Sequence, residues 1–97
     1  MAKHIIWTDN AEIQLEEILT FWIERTKSYS YSIKISSLIF KRIKWISETE
    51  FKGSKTTKTN VSVTFINYFG VFYELTDTNL YIYAVWDTRR NPDLAPF

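Results

Sequence analysis

Apolar residues return along this chain at two different intervals, and the interval decides what each stretch forms. The opening run Ile5-Ile6-Trp7 is short, β-branched and aromatic. It gives way to polar Thr8-Asp9-Asn10, so the spacing predicts a strand over 3–7. Asp9 is followed three residues on by Glu12, a capping-box-like start in which Asp9 accepts an orphan amide hydrogen and Glu12 sits in the first turn. Ala11, Leu15, Ile18, Leu19 and Trp22 then recur at three- and four-residue spacing. They share one face while Glu12, Glu16 and Glu17 point to water, which predicts a helix ending near Thr26. Ser28-Tyr29-Ser30-Tyr31-Ser32 interrupts the period and offers serines to cap a second helix; Ile35, Leu38, Ile39, Ile43 and Ile46 resume the period as far as Thr49. So short a connection makes the two helices an antiparallel hairpin.

Residues 51–60 carry Gly53 among Lys, Ser and Thr without an apolar period, and read as a mobile loop whose lysines are free to reach a ligand. The interval then falls to two. Val61, Val63 and Phe65 alternate with Ser62 and Thr64, Asn67-Tyr68-Phe69-Gly70 offers a turn, and Val71-Phe72-Tyr73-Glu74-Leu75 returns as the second arm of a hairpin. Thr76-Asp77-Thr78-Asn79 turns the chain again into Leu80-Tyr81-Ile82-Tyr83-Ala84-Val85-Trp86, which is apolar on both faces and therefore a central strand. The expected fold is α+β, in the order β-α-α-β-β-β, with a helical hairpin packed on a mostly antiparallel sheet. No internal repeat, linker or low-complexity segment divides the chain, and 1–97 reads as one domain.

Composition changes the picture in three respects. Four Trp, six Tyr and seven Phe in 97 residues exceed what so small an interior hides, and a partner surface is their natural cover. With no cysteine, a disulfide framework and a thiolate metal site are excluded and the cytoplasm is the default compartment. The N-terminus turns polar at Thr8 before a signal-peptide core forms, and no apolar run is long enough to span a bilayer, so no membrane association is expected. The net charge of +1 conceals an asymmetry: up to Glu24 five acids face only Lys3, whereas Arg25 to Asn60 carries nine basic residues against Glu48 and Glu50. That basic middle reads either as a solvated helix face with a Lys-rich loop or as a surface for a polyanion.

Together these residues resemble the RelE/ParE superfamily of toxins, the plasmid-stabilisation proteins. The likeness rests on Trp7-Thr8-Asp9-Asn10-Ala11 leading into Leu15-Glu16-Glu17-Ile18 and Phe21-Trp22, on the long second helix, on Asn67-Tyr68-Phe69-Gly70-Val71-Phe72-Tyr73-Glu74, and on the closing Val85-Trp86-Asp87-Thr88-Arg89-Arg90-Asn91-Pro92. It covers nearly the whole chain. It implies the toxin of a bacterial type II toxin–antitoxin pair, wrapped and silenced by a cognate antitoxin and arresting growth when that antitoxin is degraded. The target it implies is either the ribosome, through cleavage of bound messenger RNA, or DNA gyrase. A homodimer or a toxin–antitoxin hetero-oligomer is implied by likeness alone, and a catalytically inactive, protein-binding family member is the alternative.

Cleavage of RNA needs an activated 2′-hydroxyl, positive charge on the phosphate and a proton for the leaving oxygen. By the resemblance, Arg89 just past the last strand is the candidate catalytic residue, with Arg90 its neighbour, because a guanidinium fork clamps a phosphate. The same pair reads equally as a surface cluster bridged to Asp87 or Asp93. Lys52, Lys55 and Lys58, in the loop ahead of the second strand, join Arg89 as candidate contacts to nucleic acid or target. Two departures leave enzymatic activity undecided. Val61-Ser62-Val63-Thr64 stands where many relatives carry an Arg, and Asn91-Pro92-Asp93-Leu94-Ala95-Pro96-Phe97 replaces the helix that bears a catalytic Tyr or His. Trp22 and Trp45 are the candidate antitoxin anchors, since Trp is enriched at interface hot spots, although burial between the helices explains them nearly as well. Tyr68, Tyr73, Tyr81 and Tyr83 suit core or cross-strand pairing better than base stacking. The single histidine, His4, lacks partners for metal ligation or a Ser-His-Asp triad, so neither a metal site nor a cofactor is expected.

Overall fold

The computed structural model describes residues 2–93 and 95–96. In chain order it holds β1 (His4–Trp7), α1 (Asp9–Thr26), α2 (Ser30–Thr49), β2 (Ser54–Lys55), β3 (Ser62–Ile66), β4 (Phe69–Leu75) and β5 (Asn79–Asp87). The strands form one sheet in the order β1-β5-β4-β3-β2, antiparallel throughout except for the parallel β1–β5 pair. This is the expected α+β arrangement, enlarged by β2.

The ends of the helices differ from the expected chemistry. Thr8, not Asp9, caps α1: it is extended, and its hydroxyl accepts the Ala11 amide hydrogen at 3.2 Å while donating to the Ile82 carbonyl at 2.9 Å. One side chain thus starts the helix and ties it to β5, leaving Asp9 and Glu12 in the first turn, where the helix dipole favours them. The serines do not cap α2. Tyr29 precedes it without a side-chain cap bond, and Ser28 Oγ instead accepts the Ser30 amide hydrogen at 3.1 Å. Ser32 Oγ donates to the Leu19 carbonyl at 2.7 Å and so stitches the hairpin together.

Ala11, Leu15 and Ile18 of α1 and Ile35, Ile39, Ile43 and Ile46 of α2 meet Val71, Tyr73, Leu80, Ile82 and Val85 in the main core. β5 lies inside the sheet, as its two apolar faces require. A bulge breaks the β4–β5 register at Tyr83, since Phe72 pairs with Ala84 and Tyr73 with Ile82. Residues 51–60 are not a free loop. β2 pairs with β3, and the Tyr73 hydroxyl, on a residue only 1% exposed, accepts the Gly53 amide hydrogen at 2.8 Å and donates to the Phe51 carbonyl at 2.7 Å.

β3 departs from simple alternation because both faces of the sheet are used. Thr64 is buried on the helix side, where its hydroxyl meets Arg42 Nη1 at 2.8 Å, while Phe65 is 48% exposed. On the outer face Val61, Val63, Phe72 and Ala84 form a second cluster bordered by Tyr83 and Trp86. Gly70 belongs to β4 rather than to the turn: it lies in register between Phe65 and Trp86, and a Cβ there would stand 3.1 Å from the Phe65 ring. The missing side chain lets the two rings close over the strand.

Candidate functional site

The last motif of the sequence folds into an aromatic cage. β5 ends at Asp87, whose carboxylate is fully buried, and the chain turns back as the Arg90 and Asn91 amides donate to the Asp87 carbonyl, each at 3.1 Å. Asp87 Oδ2 accepts the Trp22 indole hydrogen at 2.7 Å, and Oδ1 accepts the Arg89 amide hydrogen at 3.0 Å. A short buried carboxylate thereby links α1 to the segment beyond β5. Charge-assisted bonds of this kind are the strong ones.

The Arg89 guanidinium lies 4.2 Å from the Trp22 ring centre and 4.5 Å from that of Tyr68, with Tyr31 and Phe69 at 5.4 and 5.6 Å. Its Nη2 donates to the Tyr31 hydroxyl, and its Nε stands 3.9 Å from Asp87 Oδ1. The cage draws on α1, α2, the β3–β4 turn and the end of β5, so the whole fold sets its geometry. The guanidinium carbon lies over the ring faces, Nη2 and Nε face Tyr31 and Asp87, and the side chain keeps 32% of its exposure. Arg90 stacks separately, 4.3 Å from the Phe21 ring centre.

The other expected residues lie elsewhere. Lys52, Lys55 and Lys58 are exposed near β2. Lys55 is in register with Ser62 and hence with Tyr73, whereas Arg89 lies two residues past Asp87, which is in register with Phe69. Lys55 and Asp87 are thus separated by roughly 13 Å along the strands and roughly 14 Å across them. Trp22 is half-buried with one face under Arg89, while Trp45 is 43% exposed, its ring centre 4.9 Å from that of exposed Phe51. His4 is exposed on β1, and the described residues gather no metal-binding group of three His, Cys, Asp or Glu. Among them no helix is long and apolar enough to cross a membrane.

Sequence reasoning missed the rings of Tyr31 and Tyr68, which share no motif with Arg89. Asp87 was within reach, as one of two suggested partners for the arginines. A second feature also went unforeseen: a cavity of about 440 Å³ on the outer face, lined by Lys58, Thr59, Asn60, Val61, Glu74 and Tyr83. There the Tyr83 hydroxyl donates to Glu74 Oε1 at 2.6 Å, and this bond, reinforced by burial, pushes its pKa up to about 12. Burial likewise raises the Tyr73 pKa above its ordinary value.

The helical hairpin on one face of a mostly antiparallel sheet has a counterpart among solved structures. A chain of the solved structure "Chromosomal ParDE TA system from P. aeruginosa" shares the fold with a TM-score of 0.75 at 14% identity, the alignment covering 87% of this chain and 94% of that one. No protein-family model and no curated protein sequence matches the chain. At that identity the likeness shows the fold.

Proposed function

We propose that this chain is the toxin of a type II toxin–antitoxin pair, held inactive by a cognate antitoxin, and that Arg89 is the residue it presents to its target. The observation that carries the reading is the fold shared over most of both chains with a component of a ParDE system. The caged, partly exposed guanidinium supports it by supplying a rigid anion contact at the end of the sheet. Exposed Trp45 and Phe51 suit an antitoxin anchor, whereas Trp22 is already engaged with Asp87 and Arg89.

Gyrase suits the arrangement better than the ribosome. The contacts of Arg89 are rings and a buried carboxylate already bonded to Trp22, and Lys52 and Lys55 lie across the sheet from it. A net charge of +1 also provides little long-range attraction to ribosomal RNA. The deciding experiment is inducible expression in bacteria, with and without the adjacent small reading frame. Arrest relieved by the neighbour is the expected result, with gyrase cleavage complexes accumulating and ribosome-bound messenger intact. Unchanged growth would leave the inactive, protein-binding reading, which the Ser62-Val63-Thr64 segment in place of an arginine favours.

A further inference from the structure

Two walls bound the cavity of about 440 Å³ on the outer face. One is the turn of residues 58–61. The Val61 amide donates to the Lys58 carbonyl at 3.1 Å, and the Thr56 hydroxyl accepts the Lys58 amide hydrogen at 3.1 Å while donating to the Val61 carbonyl at 2.8 Å, so this wall is pinned before any ligand arrives. The other wall comes from β4 and β5, where the bulge decides its make-up. β5 has one residue more than β4 between the pairs Tyr73–Ile82 and Phe72–Ala84, and Tyr83 and Ala84 therefore both join the outer face. Without the extra residue one of them would turn toward the helices. The bulge sets Tyr83 beside Glu74, whose Oε1 accepts the phenol hydrogen at 2.6 Å. The Tyr83 ring stacks nearly parallel on Tyr81, 6.2 Å between centres, and the Tyr81 hydroxyl accepts from Asn79 Nδ2 at 3.0 Å. With its one hydrogen taken up by Glu74, Tyr83 joins the carboxylate as a pair of acceptors that carries negative charge.

We propose that this cavity binds a small zwitterion bearing a guanidinium group, with the N–H fork on Glu74 and Tyr83 and the anionic end toward Lys58. A guanidinium meets neighbouring acceptor oxygens with two donors at once, where an ammonium meets them as a point charge. The Tyr83 ring, steadied by Tyr81, and the Val61 side chain give a flat cation a surface to lie against. Lys58 on the loop wall decides the rest of the ligand, since its ammonium disfavours a bare cation and attracts an anionic group. The volume lies within the range of small-molecule sites, and two preformed walls leave little to order on binding. A cross-strand brace accounts for the Tyr83–Glu74 bond but not for the cavity beside it or the pinned turn that completes it. The site stands apart from the toxin reading: Glu74 is in register with Tyr81, six residues before Asp87, which places it roughly 20 Å along β5 from the Arg89 cage.

Titration of the isotope-labelled full chain with free arginine, agmatine and citrulline, followed by amide NMR shifts, tests this. Agmatine lacks the carboxylate of arginine, and citrulline carries a neutral urea in place of the guanidinium. Arginine should give saturable shifts at residues 58–61, Glu74 and Tyr83, with a Kd of about 1 mM or below. Agmatine and citrulline should each bind about ten-fold more weakly. Glu74→Gln, which keeps an acceptor for Tyr83, should weaken arginine about ten-fold, and Lys58→Ala should remove the advantage of arginine over agmatine. Lys58 is exposed on its loop, so this second variant decides the matter should Glu74→Gln unfold the chain. Absence of saturable shifts with arginine, shifts confined to the Arg89 end, citrulline binding as tightly as arginine, or unchanged arginine affinity in the folded variants would each overturn the proposal.

Discussion

At the end of β5 the Arg89 guanidinium is fixed by the faces of Trp22 and Tyr68 and by a buried carboxylate, whereas Lys52 and Lys55 near β2 stand in water. The contrast separates two uses of positive charge. A caged guanidinium has a direction and donors at set positions, so it can recognise one anion geometry. Exposed lysines contribute a field that attracts polyanions and fades with salt. The end that carries geometry is the better candidate for a site, and mutations at either end strain one side of this contrast.

The largest effect is expected at Asp87. Its carboxylate holds the Trp22 indole and the Arg89 amide, and Asp87→Ala leaves both without their partner in a buried place. A loss of about 3 kcal/mol in urea unfolding is expected. A loss under about 1 kcal/mol would mean that the cage stands without its carboxylate. Next comes Tyr73→Phe, which removes the two bonds pinning Phe51 and Gly53. It should cost about 1–2 kcal/mol and speed amide exchange in residues 51–60, bringing the lysine end closer to the free loop its composition suggests.

A pH titration probes the same end. Tyr83 has its folded pKa raised from 10.0 to about 12 by the Glu74 bond, so its contribution to stability is complete below pH 10 and is lost as pH climbs through 12. Tyrosinate absorbance should show this late titration, and Glu74→Gln should bring it earlier; an unchanged curve would remove Glu74 as its cause. The smallest effect is reserved for Lys52→Ala combined with Lys55→Ala, which should leave unfolding within about 0.5 kcal/mol of wild type. A larger loss would show that these lysines are braced after all.

The elements were legible because their apolar intervals are clean: Ala11, Leu15 and Ile18, the α2 isoleucines and the two-faced β5 could hardly be placed otherwise. Caps were less so. Thr8 and Asp9 offer the same local chemistry, and the choice fell to Thr8 because its hydroxyl also reaches Ile82, a contact 74 residues away. β2 was invisible since Ser54-Lys55 has no period, and its hold comes from Tyr73 and β3. At the candidate site Asp87 and Arg89 stood side by side in a motif, but Trp22, Tyr31 and Tyr68 arrive from three other parts of the chain. Only the packed fold brings them together.

The central claim is that Arg89, and not the lysines, is what this chain turns on its target. Growth arrest by Arg89→Gln, with folding verified by circular dichroism, tests it most directly, set beside the Lys52→Ala/Lys55→Ala chain. The account predicts that the arginine variant folds but no longer arrests growth while the lysine variant still does. Arrest by Arg89→Gln at the wild-type level would contradict it.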